Sequence, residues 1–349
     1  MKGKFSDDYL SIRKKKVLWA VVESYTHTAE PVASRTVWKR FDLGVSPATI
    51  RNDMADLEEE GFLNQPHISS GRIPSCVGYR YYVDSLMEWS KNRSSQMIET
   101  ENEFTGENPI DEFLKNIAKQ LSSQTLGIAI VSHPLLLELC VRDFHLSYVR
   151  RGQCIVFLLL DGGITFTYSL NIDISKDEDA LVINSLIKSK ILGKNRSEIN
   201  SEIDSVFAPV FNLSAQAKQI LMSVTEHLWK ATDKKAYIYY SMKMFNLPDF
   251  SDREKFDILV ALLEEEDRIV QKLFENPWEK REIKIIIGEE NEDPKFWEFT
   301  FFKIPYYYAD KVVGFIGLIS PTRVRYPYVV ELLDSYAHKI SNALRRLFD

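Results

Sequence analysis

The sequence predicts a multidomain α+β chain that opens with a helix-turn-helix. Three observations predict it: two short helical patterns joined by a glycine turn near the amino terminus, a polar hairpin directly after them, and, further along, strand-length apolar runs mixed with long helical stretches. At 349 residues the chain exceeds one ordinary core, so two or three domains are expected.

The first helix is expected from Ser11, a residue type that caps helices, with Leu18, Val21, Val22 and Tyr25 recurring at helical spacing. Arg13, Lys14, Lys15 and Lys16 fall in its first turns, where positive charge opposes the helix dipole and invites an anion. Ala29-Glu30-Pro31 ends this helix. Ser34 is expected to cap a second, short helix that carries Val37, Trp38 and Phe41 inward. Asp42-Leu43-Gly44-Val45 turns the chain, with Gly44 supplying a left-handed backbone conformation.

The third helix begins at Ser46-Pro47, a cap followed by proline at the first helical position, and its buried stripe is Ile50, Met54 and Leu57. Steps of about 100° per residue place Ala48, Asn52 and Ala55 opposite that stripe, flanked by Thr49 and Arg51. Small residues let a helix enter a major groove, while Arg and Asn pair bidentately with guanine and adenine edges. Ser46, Ala48, Thr49, Arg51 and Asn52 are therefore the candidate base-reading set. Phe62-Leu63 then starts a strand, and Gln65 to Pro74 makes a polar hairpin suited to be a wing. On it His67, Ser69, Ser70 and Arg72 are candidates for phosphate or minor-groove contact, with Arg13, Lys14, Lys15, Arg35 and Lys39 for the DNA backbone. Ser75 is expected to cap a fourth helix with Tyr79, Tyr82, Val83 and Leu86 on its core face.

Charge is compatible with this reading. The net charge is −6, yet residues 1–90 hold 12 of the 44 Lys+Arg and 12 of the 50 Asp+Glu, leaving 32 against 38 for the rest. The acidic remainder repels phosphate and confines nucleic acid to one face of a neutral head. No run of about eighteen apolar residues is present and the start, Met1 to Asp8, lacks an apolar signal stretch, so a cytosolic chain without membrane contact is expected. Cys76, Cys140 and Cys154 form no CxxC pair and are expected as free thiols, mostly buried. The six histidines show no metal-ligand spacing, and neither metal nor cofactor is expected.

The stretch Ala29 to Thr36, then Val45 to Gln65, Gly71-Arg72-Ile73-Pro74 and Gly78-Tyr79-Arg80 resembles the heat-inducible transcription repressor family HrcA. Ile287-Gly288-Glu289-Glu290-Asn291 and Val313 to Tyr326 extend the resemblance over nearly the whole chain. It implies a repressor of chaperone genes that binds an inverted-repeat operator, CIRCE, as a homodimer with help from the GroE chaperonin. It also implies a winged-helix domain, a GAF-like domain and a dimerisation domain inserted in the latter. The chain departs from the family pattern at Ala33, Ile68 and Cys76-Val77, and at Tyr239 to Phe245, where a small, glycine-rich stretch is usual.

The expected layout is a winged helix-turn-helix over 1–90, a GAF-like α+β domain over 91–172 and 278–349, and a mostly helical inserted dimerisation domain over 173–277. Strands are expected at Leu126–Val131, Ile155–Leu160, Ile164–Ile172, Ile283–Ile287, Phe299–Ile304 and Val312–Ile319, with polar residues 91–112 as linker. A closing helix, Tyr326–Phe348, carries Val329, Leu333, Tyr336, Ile340 and Leu344 on its packed stripe. In the insertion, Ser251-Asp252-Arg253-Glu254 reads as a capping box before Phe256, Leu259, Val260 and Leu263. An enzyme is not expected: the adjacent Glu289 and Glu290 would point to opposite faces of a strand, and no HExxH, GxSxG or P-loop occurs. The alternative is a regulator gated by a small molecule bound in the GAF-like domain.

Overall fold

The computed structural model describes residues 10–67, 70–90, 109–134, 140–161, 165–202, 214–231, 236–274, 282–308 and 310–348. The amino-terminal head holds four helices, α1 (Ile12–Thr28), α2 (Ser34–Arg40), α3 (Pro47–Glu59) and α4 (Cys76–Ser90), with a ribbon of β1 (Leu63–Asn64) and β2 (Ile73–Pro74) between the last two. Ser11 caps α1 by accepting from the Lys14 amide at 3.3 Å, and Ser46 caps α3 by accepting from the Thr49 amide at 3.2 Å. Gly44 has φ of 69° and turns α2 into α3. Ser34 is not a cap; Ala33 holds that position without a side-chain bond, and Ser34 is the first residue of the helix. The head's core is Val17, Leu18, Val21, Val37, Ile50, Met54, Leu57 and Phe62; of these, Leu18, Val21, Val37, Ile50, Met54 and Leu57 are the residues that helical spacing predicts.

The ribbon is antiparallel, Leu63 opposite Pro74, and gains a third line of pairing where Val32 and Arg72 exchange two backbone hydrogen bonds of 2.9 Å. Gly71 makes that approach possible, because a Cβ there would lie 2.4 Å from the Val32 carbonyl. Ser75 caps α4 by accepting from the Gly78 amide at 3.0 Å.

The body is built on α5 (Pro109–Thr125), β3 (Ile128–Ser132), β4 (Val141–Arg150), β5 (Gln153–Leu160), β6 (Thr165–Leu170), α6 (Asp177–Ile191), α7 (Arg196–Glu202), α8 (Ser214–Ala231), β7 (Ala236–Tyr240), α9 (Arg253–Glu264), α10 (Glu266–Phe274), β8 (Lys284–Ile287), β9 (Phe299–Tyr308), β10 (Lys311–Pro321) and α11 (Tyr326–Phe348). Of the expected linker, residues 91–108 lie outside the described residues and 109–112 open α5. Five strands in the order β7-β3-β10-β9-β8 make one antiparallel sheet. Alternation sorts its two faces. Ala129, Val131, Phe302, Ile304, Ile316 and Leu318 pack with α5 and α11 on one side, whereas Ile128, Ile130, Phe299, Phe301, Phe315 and Ile319 pack with α9 and α10 on the other.

Strands β4, β5 and β6 do not join that sheet; they form a separate one in the order β4-β5-β6. Their buried residues Phe144, Leu146, Val156 and Leu158 share a core with Ile183, Ile187, Ile191, Ile220 and Val224 of α6 and α8. Among the described residues, three strands and three helices of 141–231 share this core, which runs across residue 172. Conversely, Tyr239 and Tyr240 lie on β7, an edge strand of the main sheet, and α9 and α10 cover its face, so 236–274 belongs to the body. In α9 the cap is Asp252, accepting from the Glu254 amide at 2.8 Å, and no capping box forms with Ser251. Among the described residues no helix is long and apolar enough to cross a membrane, and no cluster of His, Cys, Asp and Glu could hold a metal ion. All three cysteines are free, but only Cys154 is fully buried.

The head packs directly on the body, and one continuous core runs from Val17 and Leu57 through Tyr79 and Tyr82 to Tyr326 and Leu333. Tyr326 meets Tyr79 and Tyr82 at ring-centroid distances of 5.6 and 6.3 Å. Glu289 and Glu290 do not lie on a strand; they occupy a 3-10 turn after β8, where Glu290 receives Arg80 of α4.

Candidate nucleic-acid interface

The buried stripe of α3 fixes what its other side presents. Ile50, Asp53, Met54 and Leu57 are buried, and Ala48, Arg51 and Asn52 are exposed, with Thr49 and Ala55 half-buried beside them. Ser46 is exposed at the amino end, where its hydroxyl also lies 3.0 Å from that of Thr49. The arrangement puts one guanidinium, one carboxamide, two hydroxyls and a methyl group on the first two turns of one helix.

The carboxylates that could tie these groups down are already engaged. Asp53, whose side chain is 3% exposed, takes a fork of two hydrogen bonds from Arg13, 2.8 Å from Nε and 2.9 Å from Nη2. Lys14 holds Asp56 at 3.0 Å and Glu60 at 2.8 Å. Arg51 and Asn52 have no hydrogen-bond or ion-pair partner among the described residues. The Asp53 carboxylate raises the pKa of Arg13 by hydrogen bonding and then by its charge, and Glu60 followed by Asp56 does the same for Lys14.

Arg13 and Lys14 start α1 as a basic run, and the acids they meet belong to α3 and its cap, so these are bonds between helices. Lys15 also has an interaction within the chain. On the ribbon, Arg72 is turned back: its Nε lies 2.6 Å from Glu58 Oε2, an ion pair whose angle leaves that nitrogen without a hydrogen bond, and its Nη1 donates to the Ser70 carbonyl at 3.4 Å. His67 is exposed at the tip. There the Ser70 hydroxyl closes a tight turn, donating to the His67 carbonyl at 2.7 Å and accepting from the His67 amide at 3.0 Å. Ile68 and Ser69 lie outside the described residues.

Arg35 and Lys39 are exposed on α2, and one further residue joins them. Trp38 does not point inward: it is 50% exposed and borders a shallow groove with Phe41, Val45 and Ser46 at the amino end of α3. The spacing carried this signal, since Val37 and Phe41 are four apart and both pack inward, which leaves Trp38 about 100° to the side.

Residues 111–330 match the family described as the HrcA protein C terminal domain. The chain is 32% identical over 343 residues to the heat-inducible transcription repressor HrcA of Caldanaerobacter subterraneus subsp. tengcongensis, with 97% of this chain and 98% of the relative covered. It is 34% identical over 344 residues to the repressor of the same name from Carboxydothermus hydrogenoformans, covering 94% and 97%. Among solved structures, a crystal structure described only as that of a hypothetical protein aligns with a TM-score of 0.63 at 21% identity, over 97% of this chain and 99% of that one. At that identity the likeness bears on the fold alone.

Proposed function

Since this chain belongs to the HrcA family, we propose that it is a sequence-specific repressor of heat-shock genes that binds an inverted-repeat operator of the CIRCE type as a homodimer, helped by the GroE chaperonin. In this reading the head is a winged helix-turn-helix and the five-strand sheet with its helices is the GAF-like body. The observation that carries it is the unpaired state of Arg51 and Asn52 on an exposed helix face whose neighbouring acids, Asp53 and Asp56, are taken.

Helix α3 enters the major groove by its amino-terminal turns. Arg51 forks onto the O6 and N7 acceptors of a guanine and Asn52 pairs with an adenine, while Ala48 lets the backbone approach. Ser46 and Thr49 donate to phosphates or base edges at the groove rim. Arg35, Trp38 and Lys39 on α2 lie along the phosphates, and His67 and Ser70 at the ribbon tip follow the adjacent minor groove. Arg13, Lys14 and Arg72 contribute indirectly, by fixing α1 and the ribbon against α3.

An inverted repeat requires two heads related by two-fold symmetry. The insertion 141–231 is the element we assign to pairing, and it displays exposed apolar side chains, Val149, Ile155, Leu181, Val182, Leu192 and Met222. Buried in a partner these would contribute favourably; exposed in a lone subunit they face water. The alternative of a small-molecule gate finds less support, because hydrophobic side chains pack both faces of the main sheet. Chaperonin assistance rests on the family relation alone.

The test is a titration of the full chain against a duplex bearing the inverted repeat and a scrambled duplex, at two salt concentrations, with and without chaperonin. A preference of roughly 10³-fold for the repeat, at one dimer per site, is expected. Equal, steeply salt-dependent binding to both duplexes would refute the reading.

A further inference from the structure

The head is held to the body by two guanidinium groups placed in opposite senses. Arg80 reaches out from α4 of the head: its Nε donates to Glu290 Oε1 at 2.6 Å, its Nη2 donates to the Ile285 carbonyl at 2.6 Å and also meets Glu290 Oε2, and Asp84 one turn on takes Nη1 at 3.2 Å. Arg323 reaches back from the link between β10 and α11. Its Nε and Nη2 fork onto Asp249 at 3.0 and 2.5 Å, and its Nη1 donates to the Thr26 carbonyl at 2.7 Å.

Thr26 lies in the last turn of α1, where carbonyls have no partner within the helix and carry the negative end of its dipole. Arg323 and Asp249 are 11% and 17% exposed, so this three-way contact is largely withdrawn from water. Between the two arginines, Tyr326 packs against Tyr79 and Tyr82 and is pinned by its own hydroxyl, which is 2.9 Å from Thr300 Oγ1 and donates to the Thr322 carbonyl at 2.9 Å. A head that rocked on this aromatic contact would have to break one fork or the other. Planar forks also hold direction, which a point charge does not.

None of these residues is on the face that presents Arg51 and Asn52. We propose that Arg323 and Arg80 are positioning residues: they set the angle between the DNA-reading head and the dimer-bearing body, and thereby the spacing between half-sites that the repressor accepts. This rests on the reading above that two heads bind one inverted repeat. Each base pair added between half-sites rotates one relative to the other by about 34°, so a rigid pair of heads matches one spacing and a loosened pair matches several.

The experiment measures full-chain affinity for a series of duplexes in which the spacer of the inverted repeat is changed one base pair at a time over a helical turn, with a single half-site duplex as reference. For the unaltered chain, a shift of about five base pairs should cut affinity about 100-fold. In Arg323→Ala and Arg323→Lys that ratio should fall below about 10-fold, while half-site affinity stays within about twofold. Lysine keeps a charge beside Asp249 but cannot fork onto it and hold the Thr26 carbonyl together, so it separates direction from charge and is the variant best able to fold. Arg80→Lys should flatten the profile in the same way.

A profile that stays narrow in the lysine variants overturns the proposal, and so does a half-site affinity that falls as far as the full-site affinity, which would mark a merely structural contact. An unaltered chain that binds repeat and scrambled duplexes alike instead refutes the underlying DNA-binding reading.

Discussion

The head carries two sets of basic side chains of similar composition and opposite availability. At the start of α1, Arg13 and Lys14 close onto Asp53, Asp56 and Glu60 of α3 and its cap. On α2 and α3, Arg35, Lys39 and Arg51 stand exposed without such partners among the described residues. The difference is set by where the acids fall. Asp53 is buried at the middle of α3 and Asp56, Glu58 and Glu60 lie toward its carboxyl end, where they meet α1 and the ribbon, which leaves the exposed face of the first turns free of negative charge. One helix is thereby acidic where it meets protein and basic where it would meet DNA.

Arg51→Ala is the sharpest way to break this comparison. It should cost about 1–3 kcal/mol of operator affinity, about 5- to 150-fold, and relax selectivity at one base position, with the thermal midpoint unchanged. Competition between operator duplexes substituted one position at a time checks it. Retention of full selectivity would mean that α3 does not read bases through this residue.

Arg13→Ala should do the reverse. It strands the carboxylate of Asp53, which is buried, so the thermal midpoint of the protein should fall, whereas the dependence of DNA affinity on salt should keep its slope. Asp53→Asn in the Arg13→Ala background should recover part of the loss, since the uncompensated charge is gone. If Arg13→Ala instead leaves the midpoint alone and flattens the salt slope, Arg13 is a phosphate contact and the division between the two basic sets disappears.

The sequence makes the exposed set more legible than the paired one, for a physical reason. The cap Ser46, Pro47 and the stripe Ile50, Met54 and Leu57 are local signals, and helical geometry alone turns them into an exposed arc containing Arg51 and Asn52. Whether a charge is free is not local: Arg13 finds Asp53 across 40 residues and Arg80 finds Glu290 across 210. The same limit governs the body. Alternation in Thr165–Leu170 shows a half-exposed strand but not which sheet it joins, and that pairing, with β5, places it in the core shared with α6 and α8. The run Ala236–Tyr240 hid a strand because a short aromatic stretch fits the pattern of a helix as well as that of a sheet; only the pairing of Ile238 with Ile130 resolves it.

Arg35→Ala and Lys39→Ala sharpen the comparison at smaller amplitude. Each should weaken binding to every duplex alike and reduce the slope of log affinity against log salt by about 0.9, the signature of one phosphate contact removed, without a change in thermal midpoint. Affinity measured at four or more salt concentrations on operator and scrambled DNA checks it. A change confined to the operator would assign the residue to base reading instead.

The smallest expected effect falls on Trp38, whose exposure sets it apart from the inward neighbours Val37 and Phe41. Its ring borders the groove that ends at Ser46, and its indole N–H, which can only donate, lies on the same helix as the exposed bases Arg35 and Lys39. A hydrogen bond from that group to a phosphate contributes about 0.5–1.5 kcal/mol, so Trp38→Phe should reduce affinity about two- to tenfold on operator and scrambled duplexes equally. Because the bond is neutral on the protein side, it releases no counterion, and the salt slope should stay where it is while the intercept drops. That separates it from Arg35 and Lys39 on the same helix. Trp38→Ala should lose no more than Trp38→Phe if the N–H is what matters; a larger loss for alanine, with phenylalanine near the unaltered chain, would reassign the contribution to the face of the ring.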